Sequence, residues 1–565
     1  MKSLRMRWTA AAATAALCLA SVATAGAASG KPARPWQDRF VWLFGMNLLR
    51  DADWAEMTNL VCAAAAAGYN GAVLSAGLDT MSRKPPEFAE RLRRLDRLCK
   101  AQGLELIPSL FSVGYAGGLL AHNPHLAEGL PVRDAPFAVS RGWARFLPDP
   151  AVRIRDGGFE EAKGGRFPAF AFHDRPGTVS FVDERVRHGG RRALRMENFS
   201  ADPHGHGRVM QEVALRPWRC YRMSVWVKTE NLQPASAFRM LVLAGKRNLA
   251  PRSFNLPSTG DWRRLSMIFN SLDYSKARVY AGVWGGRSGR FWIDDWRLEE
   301  IGPVNVLRRP GTPVTVRSAA TGRLYEEGRD YAPLADPKFN LYRPDHEPAR
   351  LRLLPGGRIR EGERLLVSWY HPMIINRSQI TACMAEPEIY RIWDREAAAL
   401  AKVVRPKAFL LSMDEIRMGG SCARCAGRDM GELLGECVAR QRGILRRRFP
   451  GARLYVWSDM FDPNHNARGD YYLVRGSFAG SWKHLPKDIV VAVWGGAPRK
   501  ASLKFFADRG FQTLVACYYD AADLGETRGW AAAARSLPGV RGFMYTTWRR
   551  KYGLLRPFLE AVSAP

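Results

Sequence analysis

Ala408-Phe409-Leu410-Leu411-Ser412-Met413-Asp414-Glu415 is a short apolar run that ends on two adjacent carboxyls. Apolar spacing around it predicts helices over 387–404 and 430–449, so the run at 408–413 reads as a buried strand between them. Outward toward the C-terminus, 453–457, 489–494, 512–518 and 542–546 read as four more strands. Helical segments at 500–509, 526–537 and 554–562 belong to the same series. Outward toward the N-terminus, 41–46, 71–75 and 104–110 read as strands, with helices over 54–67 and 86–102. Alternating strands and helices imply parallel strands with crossover connections. Three strands before a long interruption and five after it give the arithmetic of an α/β fold, a (β/α)8 TIM-like barrel split into 34–140 and 385–563. A run at 365–370 is a rival ninth strand.

The interruption has a different pattern. From 146 to 300, short alternating runs such as 221–227, 278–284 and 290–295 are separated by Gly, Asn and Pro, which predicts an inserted antiparallel β-sandwich. A second small β unit follows over 303–370.

The chain has 565 residues, 47% hydrophobic and 25% charged, a globular composition large enough for several domains. A mean hydropathy of −0.25 excludes a polytopic membrane protein. The formal charge of +31 is spread singly and in pairs along the chain, and no helix-turn-helix, zinc-finger or RNA-binding signature turns it into a nucleic-acid site. Lys2, Arg5 and Arg7, an apolar stretch over 8–22 and small residues to 27 read as a secretory signal over 1–25. The expected location is therefore secreted or periplasmic, with no membrane span after signal removal. Cys422-Ala423-Arg424-Cys425 alone is half a zinc site, and reads as a local disulfide or two free thiols.

Barrel chemistry sits where strands end. The predicted ends deliver Asn47, then Ser75, then Ser109 and Tyr115. They continue with Asp414 and Glu415, then Trp457 and Asp459, then Trp494. The last two give Tyr518, Tyr519 and Asp520, and Trp548 with Arg549. Aromatic faces stack on pyranose rings, and glycosidic cleavage needs a proton donor and a stabiliser of the cationic carbon. Asp414 and Glu415 fill both roles if the chain turns at the strand end. In a regular strand, adjacent side chains face opposite ways and only one would reach.

In type and order, Asp414-Glu415, Trp457, Trp494, Tyr518-Tyr519-Asp520 and Trp548 resemble the catalytic domain of glycoside hydrolase family 20, the β-hexosaminidase-like enzymes. The resemblance covers 40–120 and 385–563. It implies retaining, substrate-assisted hydrolysis that requires no cofactor. Glu415 would be the general acid/base, Asp414 would orient the substrate's 2-acetamido group, and Tyr518 or Tyr519 would bond to it. The chain departs from the family at three points. The His-x-Gly-Gly lead is Leu410-Leu411-Ser412-Met413, the early sugar-gripping Arg is Phe44, and the acid two positions past the last Trp is Arg550. Arg549 and Arg550 at the rim suit a substrate that carries a carboxylate. The middle region resembles carbohydrate-binding jelly rolls. That resemblance makes Glu160 and Asp295 candidate ligands of a structural calcium. Trp226, Trp262 and Trp284 are candidate sugar platforms, with core packing the alternative for at least two of them. His371, before Pro372, reads as a turn residue rather than a cleft residue.

The leading expectation is an exported glycosidase acting on a polysaccharide or glycoconjugate, with Asp414 and Glu415 working under aromatic walls. The alternative is a non-catalytic carbohydrate-binding or cell-surface polymer protein on a degenerate barrel.

Overall fold

The computed structural model describes residues 36–497 and 500–564, and the expected signal at 1–25 lies outside them. Eight parallel strands close into a barrel: β1 (Asp38–Leu43), β2 (Gly71–Leu74), β3 (Glu105–Leu110), β4 (Ala408–Leu411), β5 (Arg453–Trp457), β6 (Ile489–Val493), β7 (Thr513–Tyr518) and β8 (Val540–Thr546). Each strand pairs with its sequence neighbour, and β8 returns to β1 with Phe40 beside Met544. Residues alternate across each strand. Phe40, Trp42, Leu410, Tyr455 and Trp457 fill the barrel interior. Val41, Leu43, Leu411, Val456 and Val515 face the surrounding helices.

The expected fold class is nevertheless corrected. This is not a helix-rich (β/α)8 barrel. Helices α1 (Asp51–Ala67), α2 (Pro86–Ala101), α3 (Gly117–His122), α4 (Pro387–Ala401), α5 (Met430–Arg448), α6 (Lys500–Ala507), α7 (Gly525–Arg535) and α8 (Leu555–Ser563) cover the barrel unevenly. Between β5 and β6 there are only 3-10 turns at Asp459–Phe461 and Ser481–His484 and the short strand Leu473–Val474. The sequence there, with Asp462-Pro463-Asn464 and glycines at 469, 476 and 480, has no apolar stripe to bury. Outside the barrel the strands form two five-stranded sheets and one six-stranded sheet, all antiparallel, and one two-stranded parallel pair, Met418–Gly419 with Leu473–Val474. These sheets dominate the middle of the chain.

The two five-stranded sheets face each other over a core that includes Phe159, Tyr221, Val225, Phe269 and Trp296, the sandwich expected from the alternating runs. The six-stranded sheet draws on both sides of it. Strand Leu130–Ser140 pairs antiparallel with strand Arg364–His371. The first barrel segment therefore ends before 130 rather than at 140, and the rival barrel strand near 365–370 belongs to this small β unit. His371 is buried at that junction, with Nε2 3.1 Å from Asn270 Nδ2. Burial pushes its pKa down to about 4, so it is a neutral core group.

At the N-terminal end of the barrel, buried Asp38 accepts bonds from Arg541 Nε of β8 at 2.6 Å and from Tyr455 Oη of β5 at 2.8 Å. It ties strands from opposite sides of the barrel. An Asp38→Ala variant is expected to lose about 2 kcal/mol by stranding both donors. Denaturant unfolding followed by tryptophan fluorescence checks this.

Candidate active site

Parallel closure places all eight C-terminal strand ends on one rim. A cavity of about 510 Å³ opens there. Its apolar side is built from Trp42 of β1, Phe44 after it, Trp457 of β5, Trp494 after β6 and Trp548 after β8. Trp457 is the hub, with ring centroids 5.6 Å from Trp42, 6.1 Å from Trp494 and 6.3 Å from Trp548. Two-residue alternation with Phe40 and Tyr455 points Trp42 and Trp457 inward. Trp548 is 38% exposed and Tyr115 is 46% exposed, so aromatic surface also stands open to solvent at the site. The polar side comes from the ends of β2, β3 and β4: Ser75, Asp79, Ser112, Tyr115, Asp414 and Glu415.

Strand β4 stops at Leu411, and Glu415 sits at φ 50°, in the left-handed region. The chain leaves the strand direction, and both carboxyls line the cavity. Gly114 packs on this turn so closely that a Cβ would stand 2.2 Å from the Asp414 carbonyl oxygen. Glu415 is held from four sides. Its Oε1 is 2.6 Å from Arg417 Nη2, and its Oε2 accepts from Tyr115 Oη. Its N–H donates to Asp459 Oδ2 at 2.8 Å, and its carbonyl accepts from Gln379 Nε2 at 2.7 Å. Gln379 in turn accepts from Arg417.

Asp414 has the opposite surroundings. Its Oδ1 is buried without a hydrogen-bond partner. Burial, then the charges of Asp459 and Glu415, push its pKa well above the usual carboxylate range. Asp459 is pushed up to about 6, chiefly by burial. It accepts from Trp494 Nε1 at 3.1 Å and Asn466 Nδ2 at 2.8 Å, and so orients an aromatic wall as well as the Glu415 backbone. Asp79 is also pushed up to about 6 by burial, although Phe111 N–H donates to it at 2.7 Å.

Of the residues expected at the site, Asp414, Glu415, Trp457, Trp494 and Trp548 line the cavity. Asp459 lies directly behind them. Tyr518 does not reach it. A φ of 93° takes this residue off the β7 alternation, and its ring stacks on Tyr545 in the outer core at 4.4 Å. Tyr519 lies behind Trp548, with nearly parallel rings 6.4 Å apart, and its hydroxyl donates to the Ala516 carbonyl. Asp520 accepts from the N–H groups of Trp548 at 2.8 Å and Arg549 at 3.1 Å, so it fixes the last loop rather than a ligand. Asn47 is exposed and bonds locally, its side chain accepting from Leu49 N–H and its N–H donating to Asp53. Arg549 is exposed and absent from the lining, while Arg550 is spent on Asp53 at 2.8 Å and Glu56 at 3.3 Å.

Glu160 and Asp295 are both engaged by the loop 188–192. Glu160 accepts from Arg191 N–H at 2.7 Å, and Asp295 pairs with His188 Nδ1 at 2.7 Å. Core packing is not the role of the three sandwich tryptophans. Trp226 stacks on His188 with centroids 3.9 Å apart, Trp262 lies 5.7 Å from the same ring, and Trp284 stands beside Tyr280. All three are half-buried and outside the sandwich core. Sequence reasoning missed Trp42, Asp79, Gln379 and the bracing role of Arg417. Period-two alternation with Phe40 was the available signal for Trp42. Asp79 sits in a 3-10 turn that has no such signal.

No family model matches the chain and no curated protein matches it, so the glycoside hydrolase family 20 resemblance rests on the strand-end residues alone. Solved structures give partial likenesses. A "Family 16 Carbohydrate Binding Module-2" is 18% identical over 26% of this chain and 97% of its own, with a TM-score of 0.20. A CBM61 module in complex with β-1,4-galactotriose is 20% identical over 26% and 95%, with a TM-score of 0.20. A cyclase from Fischerella sp. TAU is 17% identical over 27% and 96%, with a TM-score of 0.22. Such scores carry no argument for the whole chain.

Two outcomes test this geometry. Gly114→Ala is expected to displace the 414–415 turn, lower the thermal midpoint and alter the fluorescence of the neighbouring tryptophans, whereas Gly103→Ala, where a Cβ meets nothing within 4 Å, is expected to leave the fluorescence unchanged. For Asp79, the folded pKa of about 6 lies above the ordinary 3.8. Its protonated form therefore adds stability that is complete below about pH 4 and is lost as pH rises through 6, worth on the order of 3 kcal/mol. The stability difference between the native chain and Asp79→Asn is expected to shift by that amount between pH 4 and 7, read by calorimetry.

Proposed function

We propose that this chain binds a saccharide in the barrel cavity and hydrolyses a glycosidic bond there. One observation carries the reading. Two neighbouring carboxyls under aromatic walls have opposite electrostatic surroundings: Asp414 is buried with an unpartnered oxygen, and Glu415 is paired with Arg417 and Tyr115. Acid and stabiliser assignments follow from such divergence. Asp414 donates its proton to the leaving oxygen, and the Glu415 carboxylate stabilises the positive charge that grows at the anomeric carbon or on a 2-acetamido group. Water then completes hydrolysis. The hexosaminidase-like scheme would give the donor role to Glu415; the surroundings favour the reverse.

No Lys or Arg lines the cavity among the described residues, while three carboxyls do. A neutral or amino sugar fits better than the acidic substrate suggested by Arg549 and Arg550. The volume lies in the usual range for small-ligand sites. No described helix is long and apolar enough to cross a membrane. Export, from the pattern at 1–25, is part of the proposal.

A second reading, sugar binding without turnover, is favoured by one feature: both Glu415 oxygens are already engaged. A panel of aryl glycosides and oligosaccharides separates the two. Turnover is expected, with Asp414→Asn and Glu415→Gln each lowering kcat about 100- to 10,000-fold. Trp548→Ala is expected mainly to raise KM. Affinity without turnover selects the second reading, and no glycan affinity at all overturns both.

A further inference from the structure

Three cysteines and a glutamate meet where the insertion joins the barrel. Glu128 follows the 3-10 turn Pro124–Leu126, before the first strand of the insertion. Cys383 precedes helix α4, and Cys422 and Cys425 lie between β4 and α5. All four are buried. Cys422 Sγ is 3.5 Å from Cys383 Sγ and 3.2 Å from Cys425 Sγ, which is 3.2 Å from Glu128 Oε1. All four donor atoms lie within 4.8 Å of one another.

We propose that Glu128, Cys383, Cys422 and Cys425 bind one zinc ion in a closed, tetrahedral, structural site. Zinc–sulfur bonds of about 2.3 Å set the sulfurs of such a site about 3.8 Å apart. The Cys422 sulfur reaches that spacing by moving about 0.3 Å further from Cys383 Sγ and about 0.6 Å further from Cys425 Sγ. Three thiolates and one carboxylate select a borderline-soft cation over calcium or magnesium. Burial of all four ligands leaves no open position for substrate, which makes the site structural rather than catalytic. The surroundings orient the ligands. N–H groups of Ser421 and Cys422 donate to Glu128 Oε1 at 3.2 and 3.1 Å. Arg309 Nη1 lies 3.7 Å from Cys422 Sγ and brings a positive charge to a complex whose ligands outweigh the ion by two negative charges. Binding releases the thiol protons to solvent.

The pair Cys422 and Cys425 alone suggested a disulfide or free thiols. The fold adds the third cysteine and the carboxylate, which a disulfide would leave unmatched in the core. The ion would clamp three separate segments: the departure to the insertion, the return from it and the loop that carries Glu415 and Arg417. This inference is independent of the sugar reading.

Metal analysis of the full chain, purified without chelator, is expected to find one zinc per molecule. All its cysteines are expected to titrate as thiols in denaturant with chelator. Chain produced with cobalt in place of zinc is expected to show thiolate-to-cobalt charge transfer and the visible bands of a tetrahedral ion. Cys425→Ser is expected to lose at least nine-tenths of the zinc and melt at lower temperature, while Cys62→Ser retains it. Metal-free protein with two thiols missing means a disulfide and overturns the proposal. Metal-free protein with every thiol present, or cobalt protein without charge transfer, also overturns it. The cobalt spectrum decides the matter if Cys425→Ser does not fold.

Discussion

The ladder between β3 and β4 is the constraint on which the molecule rests. Leu410 pairs with Ser109 and Leu411 with Leu110, across the whole insertion. Without that contact the barrel has two open edges, and no common rim exists for the strand ends. With it, Ser112 and Tyr115 from one side face Asp414 and Glu415 from the other. The tight approach of Gly114 to the Asp414 carbonyl is the same closure seen one turn further along.

The site reads as a division of electrostatic labour within a few residues. Arg417, Tyr115 and Gln379 surround Glu415, whereas Asp414 has an unmatched oxygen among other acids. Asp459 links the two halves, since it bonds to the Glu415 backbone and to the Trp494 indole. A ligand that displaced Glu415 would therefore be felt in an aromatic wall.

Much of this was legible in the sequence, because strand alternation and strand ends are local patterns. Asp414, Glu415, Trp457, Trp494 and Trp548 were found that way. Tyr518 was misplaced because nothing in its neighbours announces a φ of 93°. Asp520 looked like a ligand group and proved to be a loop brace, since it accepts from the Trp548 and Arg549 N–H groups and from the Thr547 hydroxyl, all in the loop it fixes. The (β/α)8 reading overestimated the barrel's helical coat: no helical run stands between 457 and 489 in the sequence, and the structure has only turns and a short strand there. Cys383 and Glu128 join Cys422 and Cys425 only through the fold, so the spacing of a lone Cys-x-x-Cys pair could not reveal them.

The insertion leaves and re-enters through adjacent antiparallel strands, Leu130–Ser140 and Arg364–His371. Seen from the barrel, it is a short bridge with a long errand. During synthesis, however, β3 must wait for the 297 residues that separate it from β4. At ribosomal rates of about 5–20 residues per second, that delay is roughly 15–60 s. The nascent half-barrel spends this interval with raw β-edges, rows of unpaired N–H and C=O groups that any neighbouring chain could pair with until the second half arrives.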